Sequence, residues 1–228
     1  MDNATNVKIV SIFADRVAVR EYLKEKAAAN PGFSYTTVSN GPFYDWVRYF
    51  YKLTHYYLNI LSCSFERRLH SRKQALKAAF IGFDPKIQSA TIYDSGTQPF
   101  SCTTLSTVGL AVASILSKPA ETANKSIYIQ SFNPTQNEIL TALEEVTEAK
   151  WKVDTISTGD ALVQGYEKLG KGDMSGFIGV LMSSTYGPAN GNDFTKHATL
   201  SNELLGLPKE DLKAVTREIV ESGKSVSH

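Results

Sequence analysis

Apolar residues first recur at helical spacing. Over 15–29, Val17, Tyr22 and Leu23, with Val19 and Ala27 beside them, form a stripe, and Asn30-Pro31-Gly32 ends it. From Phe33 the period changes to two. Phe33, Tyr35 and Thr37 alternate with Ser34, Thr36 and Val38 in a β-branched and aromatic run that predicts a strand. Asn40-Gly41-Pro42 stops it, because Asn and Gly tolerate positive φ and Pro removes a ladder donor. Phe43, Tyr44 and Asp45 follow. A strand whose C-terminal end opens into a Gly-bearing loop is where open α/β sheets place ligands. An ordinary strand and turn has the same pattern.

Residues 90–93 read as a strand, Asp94-Ser95-Gly96 as a turn and 99–102 as a second strand, a hairpin with a longer loop. Thr104 or Ser106 can cap a helix through Leu116, which Lys118-Pro119 closes. That helix is small and apolar nearly all round, so it is expected to be buried. A strand over 125–131 precedes Asn133-Pro134-Thr135-Gln136, which reads as Asn cap, Pro at the first helical position and Gln as capping-box partner, opening a helix to about Thr147. A short alternating strand covers 152–156, and three helices follow over 160–169, 174–186 and 208–222. Gly170, Gly172 and Gly176 punctuate helices, and 187–192 is a polar loop.

Composition narrows the classes. The chain has 228 residues, 42% of them hydrophobic, enough for a real core, and a net charge of +1 that gives no global field for nucleic acid. Cys63 and Cys102 form neither a disulfide framework nor a metal spacing, which suits a reducing cytoplasmic setting. His55 and His70 have no ligand partners in pattern, and His197 reads as a surface-loop residue, so no metal site is expected. The polar N-terminus lacks the apolar core of a signal peptide, and no run reaches the ~20 apolar residues of a membrane span.

Residues 47–74 stand apart. They hold six Lys and Arg against one acid, Glu66, a net +5 that leaves the rest of the chain at −4. Phe50, Leu53, Tyr57, Leu58 and Leu61 fall at helical spacing. Three readings stay open: a basic helix for a membrane surface or partner, a nucleic-acid patch of basics among aromatics, and a translated intron. The last is suggested by Val47-Arg48, which a splice donor would encode, and by Gln74, whose CAG codon ends as an acceptor does.

The stretches VSIFADRVAVREYL, IGFDPKIQSATIYDSG and NKSIYIQSFNPTQNEIL resemble NmrA-like and isoflavone-reductase-like proteins, atypical short-chain dehydrogenases with an NADP-binding Rossmann domain. The resemblance covers most of the chain outside 47–74, and deleting 47–74 restores the family-like run DW-ALKAAFIGFDPK. It implies an α/β fold: an incomplete Rossmann-like parallel sheet lacking its first β-α units, with a smaller α/β substrate-side domain. The implied organisation is 1–46 as a Rossmann remnant, 47–74 as an insertion, and 75–228 as the remaining Rossmann elements and the substrate-side domain.

The implied activity is NADP-dependent reduction of a small organic substrate. A strand–glycine–helix unit, which grips the pyrophosphate, is missing before residue 33. The chain is therefore expected to be impaired or fragmentary. By resemblance, Arg16 stands at the family's catalytic lysine. Arginine stays protonated and cannot act as a base. Asn40, Gly41 and Phe43 are implied on the nicotinamide side, although the family pattern has one residue fewer between the asparagine and phenylalanine. Tyr44 is the candidate for the substrate side. The other implied role is a non-catalytic dinucleotide sensor with a protein partner.

Overall fold

The structure, a computed structural model, describes residues 14–45, 81–85, 87–188 and 192–224, with side chains up to Glu221. The 47–74 segment, with its histidines and Cys63, lies outside the described residues.

The fold is α/β, and the described residues form two small sheets. Helix α1 (Ala14–Ala29) has Asp15 in its first turn and Lys26 in its last, each opposing the helix dipole. Strand β1 (Thr36–Ser39) follows. It pairs in parallel with β4 (Lys125–Tyr128), with Thr36 opposite Lys125 and Ser39 opposite Tyr128. The second sheet runs β2 (Phe83–Asp84), β3 (Ser89–Tyr93), β5 (Lys152–Ile156). β2 and β3 are antiparallel, whereas β3 and β5 are parallel with Tyr93 opposite Ile156.

Helix α2 (Leu105–Ser117) and the short α3 (Pro119–Thr122) lead into β4, and α4 (Gln136–Thr147) leads into β5. Helices α5 (Thr158–Gly170) and α6 (Gly176–Tyr186), a 3-10 turn (Phe194–Lys196), the short α7 (Asn202–Leu205) and α8 (Leu212–Lys224) follow.

Two cores result. Ala111 and Ile115 of α2 pack with Ile127, Ile129 and Leu205, joined by Val38 of β1. The larger core gathers Tyr44, Ile81, Phe83, Ile92, Tyr93, Phe100, Trp151, Tyr186 and Val220. A polar side chain, Gln136, reaches into it. Gln136 is buried, accepts the Tyr93 N–H at 2.8 Å and donates to the carbonyls of Thr91 (3.0 Å) and Ile81 (3.3 Å). A buried amide is tolerated only when satisfied in this way.

Four expectations need correction. Residues 99–102 form no strand: Cys102 makes one isolated bridge to Phe132, and β3 pairs with β2 and β5 instead of closing a hairpin. Helix α2 is not enclosed. Thr107, Ala111 and Ile115 are buried, but Leu110 and Leu116 are 50% and 76% exposed, because the two-stranded sheet beneath covers one stripe of the helix. The stripe of α1 is open as well, with Val19 and Tyr22 exposed and no residue of the helix buried. The cap of α4 is Thr135, not Asn133. Thr135 and Glu138 form the reciprocal capping box, which leaves Gln136 free to turn inward.

Candidate active site

The carboxyl end of β1 opens into Asn40-Gly41-Pro42-Phe43, held by the chain from Phe100 to Thr104. Thr103 Oγ1 donates to the Asn40 carbonyl at 2.7 Å, and Asn40 Nδ2 donates to the Gly41 carbonyl at 2.9 Å. The Thr103 N–H donates to the Pro42 carbonyl (3.1 Å), and the Tyr44 N–H donates to the Thr103 carbonyl (2.9 Å). Phe43 thereby bridges Thr103 in parallel. Gly41 has φ +64°, and a Cβ there would lie 2.0 Å from the Ser101 carbonyl oxygen. Only glycine meets both conditions. It permits a close approach to the Ser101 backbone.

Tyr44 is buried. Its ring meets Phe132 edge-on at 5.2 Å, and its hydroxyl lies 2.6 Å from Thr216 Oγ1. Burial drives the phenol far above its ordinary range against the Thr216 hydrogen bond, so it stays neutral.

Asp45 and Glu210 occupy the N-terminus of α2. Asp45 Oδ1 accepts the Leu105 N–H at 2.9 Å. Glu210 accepts from Thr104 Oγ1 (3.1 Å), Thr107 Oγ1 (2.8 Å) and Ser131 Oγ. Two carboxylates at a helix N-terminus satisfy the dipole. They also repel phosphate, so the helix end nearest this loop is no seat for a pyrophosphate. Nearby, burial and then the Glu210 charge push the Cys102 thiol well above its ordinary range, so it is no nucleophile.

The structure thus brings Asn40, Gly41, Phe43 and Tyr44 together against Ser101–Thr103. Arg16 stands exposed in the first turn of α1. His197 is exposed, packed edge-on to Tyr128 and Phe194. Among the described residues no group of three His, Cys, Asp or Glu could hold a metal, and no helix is long and apolar enough to cross a membrane. Sequence reasoning missed Ser101, Thr103 and Glu210. Their partners are far away in the chain, and a run of small hydroxyl residues carries no signal of its own. The loop offers backbone, an amide and an aromatic ring, means of positioning a ligand rather than a nucleophile or base.

An α/β chain with parallel strands and a Gly-bearing loop at a strand's carboxyl end has the architecture of the isoflavone-reductase fold. The solved isoflavone reductase superposes with a TM-score of 0.61 over 91% of this chain and 58% of that one, at 17% identity. An NADPH-dependent quinone oxidoreductase from Escherichia coli, solved with NADPH, superposes at 0.50 over 86% and 56%, at 18% identity. In sequence, the oxidoreductase poxI of Penicillium oxalicum is 30% identical over 213 residues, 92% of this chain and 59% of the relative. The oxidoreductase aprR of Aspergillus flavus is 33% identical over 141 residues, 62% and 48%. No protein-family model matches the chain. The chain spans 59% of the length of the first of these relatives.

Proposed function

We propose that the protein is an NADP-dependent oxidoreductase of the isoflavone-reductase-like type acting on a small organic substrate. The described residues would supply the nicotinamide and substrate side. The observation that carries this reading is the loop at the carboxyl end of β1, where Asn40, Gly41 and Phe43 are fixed by Thr103 and Ser101. Hydride chemistry belongs to the nicotinamide, and the protein's share is position and polarity. Phe43 would meet the nicotinamide ring with its face or edge. Tyr44, buried behind the loop, would back the substrate side rather than reach the substrate with its hydroxyl. The α2 N-terminus is filled by carboxylates, so this helix end is not offered as the pyrophosphate grip.

One observation favours a second reading. Arg16, which cannot serve as a base, suits a dinucleotide sensor that binds without turnover.

Titrating the 228-residue chain with NADPH, by fluorescence, and following NADPH oxidation with a soluble quinone separates the readings. Binding is expected with a dissociation constant weaker than about 1 µM, some −8 kcal/mol. Binding with oxidation supports the enzyme, and binding without it supports the sensor. No fluorescence change up to about 1 mM overturns both.

A further inference from the structure

We infer that the outer edge of β5 pairs with β5 of a second copy of this chain, antiparallel and centred on Val153, in a weak symmetric dimer. Among the described residues β5 ends its sheet, with β3 as its one neighbour. Residues 152–155 are all exposed. Val153 is 43% exposed although it stands in register with the buried Ala90 of β3. The hydrogen-bonding groups of the strand divide by parity. The Lys152 N–H donates to the Gln88 carbonyl at 2.9 Å, and the Ile156 carbonyl accepts the Asp94 N–H at 3.0 Å, so the even-numbered residues face β3. The N–H and C=O of Val153 and Thr155 therefore point to the outer edge. Such an edge is a template for another strand.

Charge selects the partner and the register. Lys152 Nζ and Asp154 Oδ2 lie 3.2 Å apart on one face of the strand, both largely exposed. In an antiparallel pair of two β5 strands, outward-facing residues must oppose outward-facing residues. A register centred on Lys152 sets two ammonium groups against each other, and one centred on Asp154 sets two carboxylates against each other. Like charges directly opposite are unfavourable. A register centred on Thr155 places Asp154 opposite Ile156 and carries Lys152 past the end of the strand. The register centred on Val153 alone is complementary. The two Val153 residues exchange both backbone hydrogen bonds on the two-fold axis, and each Lys152 lies directly opposite the partner's Asp154. The contact is self-complementary, so it closes as a dimer. The chain's net charge of +1 adds little repulsion between copies. A strand pair buries less than a standard interface, so the affinity is modest, and exposed ion pairs make it sensitive to salt.

The pairing is independent of dinucleotide binding, since no residue of β5 belongs to the loop of Asn40, Gly41 and Phe43. The test is sedimentation velocity of the 228-residue protein from about 1 to 200 µM, without dinucleotide. A monomer–dimer equilibrium is expected within that range, weakened by added salt. Lys152→Glu and Asp154→Lys should each weaken it about tenfold or more. Both positions are exposed, so thermal unfolding should be unchanged in either variant. Mixed in equal amounts, the two variants should pair again, because an acidic strand then meets a basic one. A protein that stays monomeric throughout, a dimer that neither variant weakens, or variants that stay apart when mixed overturns the assignment.

Discussion

Gly41 shows how a residue can be legible while its reason is not. Asn-Gly-Pro after an alternating run announces a break, and a glycine at a strand's carboxyl end suggests room for a ligand. The structure adds a second demand on the glycine, φ +64° and a close contact with the Ser101 carbonyl. Gly41→Ala is therefore expected to destabilise the fold by about 3 kcal/mol, seen in urea unfolding without any ligand present. A loss of dinucleotide binding at unchanged stability would instead place the close approach on the ligand side. Asp193 carries a pH dependence. It is buried, accepts from Thr195 Oγ1 (2.6 Å) and Asn133 Nδ2 (3.1 Å) and pairs with Lys196 at 3.1 Å. Burial raises its carboxyl, but these hydrogen bonds and the Lys196 charge outweigh it and hold it below the usual range. A folded value below the unfolded one gives stability that is present above the ordinary carboxylate value of about 3.9 and lost as pH falls through the folded value. Asp193→Asn should flatten the acid limb of unfolding stability below about pH 4. An acid limb unchanged in the variant would remove Asp193 from the account.

At the scale of elements, the α5–α6 hairpin depends on helix-to-helix backbone contact. Gly176→Ala drives a methyl against the Gly165 carbonyl and is expected to cost about 2 kcal/mol, as overpacking does. Gly170→Ala meets nothing within 4 Å at the end of α5 and should be neutral or stabilising by up to about 1 kcal/mol. Thermal unfolding of the pair checks the contrast, and equal shifts would refute it. The sequence showed these glycines as punctuation, but two helices must be docked before a glycine becomes a contact. Local signals were readable where the local chain decides. Thr104 caps α2, accepting the Thr107 N–H as its position suggested, and β5 runs over the expected alternating segment. They failed where a distant partner decides. Phe100 and Cys102 have strand-like composition, but their backbone bonds go to Pro134 and Phe132. Asn133 looks like a cap, yet its amide donates to Asp193, sixty positions away. Apolar composition around α2 could not show that the sheet beneath covers one stripe.

For the whole molecule, the question is how the two flanks of 47–74 meet. Both are anchored in the larger core. Tyr44 packs there and bonds Thr216, and Asp45 accepts the first N–H of α2, that of Leu105. On the other side the Ile81 carbonyl accepts from the Tyr186 hydroxyl at 2.8 Å and from Gln136 Nε2. None of these bonds involves residues 47–74. Deleting 47–74 leaves Trp46 and 75–80 to join Asp45 to Ile81. Shortening a connection about fivefold changes closure entropy by only about 1 kcal/mol, in favour of the folded state. The deletion also removes a net charge of +5 and the apolar stripe of Phe50, Leu53, Tyr57, Leu58 and Leu61. Apolar side chains that find no partner drive association, and charge limits that tendency without abolishing it. The deleted protein is therefore expected to melt higher and to give more soluble monomer, with the Asp45 and Ile81 anchors intact. The opposing view makes 47–74 a working element that covers apolar surface such as the outer face of α2, where Leu110 and Leu116 stand open. On that view the deletion melts earlier, aggregates and becomes cleavable by protease near 105–117. Soluble yield, thermal unfolding and limited proteolysis of the two proteins side by side decide between the views. A less soluble, earlier-melting deletion would make 47–74 part of the fold, whatever its origin in the gene.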